Sequence, residues 1–117
     1  MKILQIIQRS QLRGAELFAC QLSEELQKQG HQVDVLVLFG NRSDIFKFEL
    51  PFYYLEANEK KRWWDFKTYK KLSLFIKNGE YDIVQANAGD TLKYASLSKK
   101  LYRWKAKFVF RNANKIS

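Results

Sequence analysis

"ILQIIQRSQLRGAELFACQLSEELQKQGHQVDVLVLF", residues 3–39, is the stretch on which the fold turns. Its ends, ILQII (3–7) and VDVLVLF (33–39), are short runs rich in β-branched residues with little polar interruption. That composition suits strands buried on both faces of a parallel sheet. Between them Ala15, Phe18, Ala19, Leu22 and Leu26 recur at helical spacing, and Gly30 stands where a helix takes a C-terminal glycine cap. The stretch therefore predicts one β-α-β unit.

The alternation continues down the chain. PFYYL (51–55) predicts a third strand, with Pro51 tolerated at its start. Asp65 predicts the N-cap of a second helix, with Trp64 and Tyr69 as a hydrophobic staple. Phe66, Tyr69, Leu72 and Ile76 form the expected core stripe of this helix, and Asn78-Gly79 its end. DIVQA (82–86) predicts a fourth strand. Asp90 can cap a third helix running to about Arg103, with Tyr94, Leu97 and Leu101 facing in, and KFVF (107–110) predicts a fifth strand. Residues 40–50 form a longer connection that the pattern does not assign. Short loops between alternating strands and helices imply an α/β fold: one three-layer α/β/α Rossmann-like domain over 1–117, with a mostly parallel five-stranded sheet. Right-handed crossovers give the order 3-2-1-4-5. In such sheets ligands bind outside the carboxyl ends of the strands, beside the switch between strands 1 and 4. Residues 8–14, 87–90 and 111–114 then share one edge.

Composition narrows the function classes. A chain of 117 residues with 46% hydrophobic and 28% charged residues has globular composition, which excludes disorder. Cys20 is the single cysteine, so no intrachain disulfide forms, and a lone thiol fits a reducing compartment. The opening MKIL has no basic n-region and its apolar run ends by Ile7, too short for a signal peptide or a membrane span; the expected location is cytoplasmic. One cysteine and one histidine satisfy no metal-ligand spacing, and His31, at the amino end of strand 2, reads as structural. The net charge of +9 is unevenly placed. Residues 91–117 carry Lys93, Lys99, Lys100, Arg103, Lys105, Lys107, Arg111 and Lys115 and no acid. Such asymmetry points to an anionic partner, whether nucleic acid, anionic lipid or a phosphorylated substrate, unless it is only a solvated surface.

The loop before the first helix, QRSQLR (8–13), lies where a Rossmann phosphate loop would. It is neither GxGxxG nor a Walker loop. What it offers is a helix N-terminus with unpaired N–H groups, Gly14 for close approach, and charge from Arg9 and Arg13. Glu16 in the first turn complements the macrodipole.

Residues 1–39 resemble the opening of family 4 glycosyltransferases of the GT-B fold. The matching residues are the MKIL strand, Gly14-Ala15-Glu16 closing the loop, and Gly30-His31-Gln32-Val33 entering strand 2. YDIVQANAGDTLKYASLSKK (81–100) is similar to the family's fourth strand and following helix. Two departures stand out: Arg13 precedes Gly14 where many members have a second glycine, and Gln85-Ala86-Asn87 replaces a common H-x-H. The resemblance implies two Rossmann-like domains facing across a cleft, of which this chain corresponds to the N-terminal, acceptor-side half, with the C-terminal donor-binding domain absent. It implies transfer of a sugar from a nucleotide-sugar to a cell-envelope glycan or lipid-linked acceptor, with no cofactor and no metal, and an inactive chain when alone. Arg9, Arg13, Gly14, Ala15 and Glu16 would meet the donor phosphates; Asn87, Asp90, Arg111 and Asn112 would line the acceptor side. Asn87 cannot be a general base, so it would orient a sugar or an acceptor hydroxyl, unless it only turns the loop NAGD.

EKKRWWDFKTYKKLSLF (59–75) adds a basic-aromatic segment. Lys60, Lys61, Arg62, Trp63 and Trp64 precede a helix that carries Lys67, Lys70, Lys71 and Lys77 opposite its core stripe. Charge beside tryptophan is the composition of an interfacial contact with an anionic membrane, consistent with peripheral attachment at the inner membrane face. Two alternatives remain open: a basic module for nucleic acid or another polyanion, for which no recognition motif is present, and a flavodoxin-like small-molecule domain, for which no flavin phosphate loop is present.

Overall fold

The computed structural model describes residues 1–9, 14–40, 48–57 and 65–111, and of Ala15 the backbone alone. The elements run β1 (Lys2–Arg9), α1 (Gly14–Lys28), β2 (Gln32–Phe39), β3 (Phe52–Ala57), α2 (Phe66–Gly79), β4 (Ile83–Ala86), α3 (Gly89–Tyr102) and β5 (Lys107–Phe110). The five strands pair in parallel in the order β3-β2-β1-β4-β5, as the sequence predicts.

Strand parity sorts the core into two layers. Leu4 and Ile6 of β1, Leu36 and Leu38 of β2 and Val84 of β4 face Tyr69, Leu72 and Ile76 of α2 and Tyr94 of α3. Ile7, Val35 and Val37 point the other way, under Ala19 and Cys20 of α1. The α1 layer thus rests on small side chains, which let the helix lie close to the sheet. Burial pushes the Cys20 thiol up to about 12, with the Glu24 and Glu16 carboxylates adding to the effect. A protonated, enclosed thiol is packing material, not a nucleophile.

The helix layer on the α2–α3 side is joined by polar links. Asp65 caps α2 by accepting from the Thr68 N–H at 3.3 Å, as expected, and its other oxygen accepts from the Tyr94 hydroxyl at 3.3 Å. The Ser98 hydroxyl donates to the Tyr69 carbonyl at 3.0 Å. The Lys99 ammonium clamps the turn after α3 by donating to the carbonyls of Trp104 and Ala106 at 2.8 and 3.0 Å.

Several local expectations change. Phe66 and Leu101 are half exposed, not core; the inward faces of their helices are instead completed by Ser73 and Ser98. Phe18 is also half exposed. The end of α2 at Gly79 is as expected, and the residue that follows it, Glu80, takes the left-handed conformation (φ 52°). At Gly79 a Cβ would run into the Tyr81 ring. Tyr81 donates a 2.6 Å hydrogen bond to buried Asp34, and burial plus that bond raise its pKa. The N-cap of α3 is Ala88, so Asp90 falls inside the first turn. Thr91 takes the capping role, its hydroxyl accepting from the N–H groups of Asn87 and Ala88 at 3.0 and 2.8 Å. Trp64, the other half of the expected staple, lies outside the described residues, as does most of 40–50. His31 is at the amino end of β2, 3.4 Å from the Met1 amino group.

Candidate functional site

Parallel strands with right-handed crossovers bring separate parts of the chain to one edge. At the carboxyl ends lie Arg9 closing β1, Gly14 opening α1, Asn87 just past β4, Asp90 in the first turn of α3, and Arg111 just past β5. Five of the residues named from sequence therefore share this edge, together with the Ala15 backbone and Glu16. Arg13 and Asn112 lie outside the described residues.

Each contributes differently. The Arg9 guanidinium carbon lies 5.6 Å from the centroid of Phe39, its register partner on β2, so its apolar stem and ring are held together. Gly14 has φ 37°, in the region that favours glycine, and a Cβ there would meet nothing within 4 Å. The positive end of the α1 dipole lies at this edge. Glu16 is buried, while Asp90 stays half exposed.

Asn87 is 1% exposed and its carboxamide is engaged at both ends. Its Nδ2 donates to Gln5 Oε1 at 2.9 Å, to the Ile6 carbonyl at 3.1 Å and to the Gln85 carbonyl at 3.4 Å. Its Oδ1 accepts from Arg111 Nε at 2.9 Å and from Gln85 Nε2 at 3.3 Å. The side chain expected to orient a ligand thus reaches Arg111. The Arg111 guanidinium carbon lies 4.3 Å from the Phe18 ring centroid, and partial burial lowers its pKa from the ordinary arginine value, leaving it a cation near neutrality. The backbone continues β5 pairing here, since the Arg111 N–H donates to the Ala86 carbonyl at 2.9 Å.

Sequence reasoning missed Gln5, Gln85 and Phe18 as parts of this network. The signal was present: each of ILQII and DIVQA interrupts an apolar run with one glutamine, and the two are register partners across β1 and β4. Phe18 carried no such signal, because an aromatic residue at helical spacing reads as core.

Other surfaces are distinct from this edge. A cavity of about 350 Å³ lies at the opposite pole, between the carboxyl ends of α2 and α3, over Tyr81 and Trp104. Its rim cations Lys77, Arg103 and Lys105 stand where basic residues complement helix C-termini. On α2, Lys67, Lys70 and Lys77 are exposed with Phe66 and Leu74 among them, and the Lys71 ammonium donates to the Leu55 carbonyl at 3.2 Å. Lys60, Lys61, Arg62, Trp63 and Trp64 lie outside the described residues. Among the described residues no helix is long and apolar enough to cross a membrane, and no cluster of metal-ligating side chains occurs.

Comparison with known proteins agrees with the architecture. No curated protein sequence matches significantly. Among solved structures, a glycosyltransferase from Rickettsia africae is similar over 93% of this chain (TM-score 0.71, 20% identity). Anabaena Alr3699/HepE in complex with UDP and glucose is similar over 94% (TM-score 0.66, 18% identity), as is the lipopolysaccharide outer core galactosyltransferase WaaB over 94% (TM-score 0.74, 16% identity). At those identities the likeness concerns the fold, and the chain spans 28%, 29% and 32% of these three proteins. The sequence profile of Glycosyltransferase Family 4 matches residues 12–112, nearly the whole chain. The chain belongs to Glycosyltransferase Family 4.

Proposed function

We propose that this chain is the N-terminal, acceptor-side domain of an enzyme that moves a sugar from a nucleotide-sugar to a cell-envelope glycan or lipid-linked acceptor. The observation that carries the reading is the convergence of Arg9, the start of α1 and Arg111 on the carboxyl edge of a family 4 domain. The leaving group of such a transfer is a nucleoside diphosphate, on which negative charge accumulates as the sugar–oxygen bond breaks. Fixed amides and guanidinium groups aimed at that charge lower the barrier without needing a base on this face. In this reading Gly14, Ala15 and Glu16 supply the helix start, Arg9 and Arg13 supply charge, Asp90 and Asn112 face the acceptor, and Arg111 meets the diphosphate from the acceptor side. Asn87 acts from beneath by holding Arg111. No metal or cofactor is required, and the 117-residue chain alone turns over no nucleotide-sugar.

Binding of the diphosphate group itself is the test. In calorimetric titration, UDP and inorganic pyrophosphate are expected to bind the chain with similar affinity. Tighter binding of an oligonucleotide that persists at moderate salt would favour the nucleic-acid module instead.

The exposed lysines of α2, set around Phe66 and Leu74, support peripheral attachment to the inner face of a membrane. Co-sedimentation is expected with vesicles containing phosphatidylglycerol and not with phosphatidylcholine alone. Equal binding to both would reject the electrostatic contact.

A further inference from the structure

Gln5 is out of place by the logic of a buried strand. It lies in the middle of β1 with no exposure, its register partner on β2 is Val35, and its Nε2 has no hydrogen-bond partner. An enclosed amide donor left unpaired weakens a fold, and a methionine of similar length would leave none. The other end of the same side chain is engaged: Gln5 Oε1 accepts from Asn87 Nδ2 at 2.9 Å. A carboxamide can turn over, exchanging its oxygen and nitrogen, and in that orientation Asn87 would present a donor to the Arg111 Nε–H, which is itself a donor. The Gln5 oxygen, the nearest of three acceptors with the Ile6 and Gln85 carbonyls, holds Nδ2 on the strand side. Oδ1, which also accepts from Gln85 Nε2, is left for Arg111.

We propose that Gln5 is a positioning residue that, through Asn87, holds the Arg111 guanidinium over Phe18 and directs it along the carboxyl edge towards an anionic substrate group. The proposal rests on the role given to Arg111 above. Gln5 touches no substrate; it helps set the polarity of a side chain that holds Arg111. The cost in stability at Gln5 and the gain in orientation at Arg111 are then two sides of one choice of residue. Sites where a sequence departs from the local rule for stability are where function is expected.

The test compares the 117-residue chain with its Gln5→Met variant by ¹⁵N NMR of the Arg111 Nε–H, identified by its loss in Arg111→Lys. Gln5→Met is expected to unfold at the same or a higher temperature. Its Arg111 Nε–H should exchange with water about tenfold faster, the protection that one hydrogen bond provides. Inorganic pyrophosphate should bind several-fold more weakly. An unchanged Arg111 Nε–H signal overturns the proposal, and so does failure of Gln5→Met to fold, because an apolar residue is claimed to suit the position. Absence of pyrophosphate binding by the unmodified chain would instead contradict the anion-binding role of the edge, while the Arg111 signal still decides the role of Gln5.

Discussion

Tyr94→Ala is expected to lower the free energy of unfolding in urea by about 3–5 kcal/mol, the range for emptying a buried aromatic site. Tyr94 is fully buried where both helices of its layer meet the sheet. Its ring meets Phe39 of β2 edge-on at 5.8 Å and Tyr69 of α2 at 5.2 Å, so three elements share the space it fills. Its hydroxyl donates to Asp65, the residue that also caps α2. Tyr94→Phe removes only that 3.3 Å hydrogen bond and should cost about 1 kcal/mol. Domains of this kind have about 5–15 kcal/mol in total, so the alanine variant should be marginal at room temperature. Equal losses for the two variants would mean that the hydroxyl link, not the packed ring, holds α2 to α3.

Asn87→Leu is expected to cost about 2–4 kcal/mol and to abolish pyrophosphate binding together. The volume is nearly kept, so the loss comes from polar groups left without partners. Gln5 Oε1, which is enclosed, loses its donor, and the half-buried Arg111 Nε loses the Asn87 acceptor. The Ile6 carbonyl keeps the backbone N–H of residue 87 at 3.2 Å, which limits the damage to the side-chain network. Urea unfolding and pyrophosphate titration of one sample check both halves. A stable variant that still binds pyrophosphate would show that Arg111 needs no support from below.

How far the sequence reveals this protein depends on what kind of residue carries the message. The parallel sheet was legible because ILQII and VDVLVLF have little polar interruption, as strands covered on both faces do, and right-handed crossovers between alternating helices then give the order. The family resemblance rested on Gly14-Ala15-Glu16 and Gly30-His31-Gln32-Val33, and the profile over 12–112 agrees with it. Which way a helix faces was less legible. Periodicity selects large apolar residues, yet α1 seats Ala19, Cys20 and Ser23 on the sheet and leaves Phe18 at its edge. Phe66 and Leu101 fail for the same reason: their helices bury Ser73 and Ser98, and the Ser98 hydroxyl donates to the Tyr69 carbonyl. At the site, Asn87 and Arg111 were recognisable because polar residues follow apolar strands. Gln5 stands out as a glutamine that interrupts an apolar run, but that signal does not name its partner 82 residues away.

The central claim is that the carboxyl edge of β1, β4 and β5 receives an anionic group. Titrating ¹⁵N-labelled chain with inorganic pyrophosphate, and mapping the shifted amide signals, tests it most directly. Shifts confined to Arg9, the first turn of α1, residues 87–90 and Arg111 are predicted. Shifts centred on Lys77, Arg103 and Lys105 at the opposite pole, or no shifts at all, would contradict it.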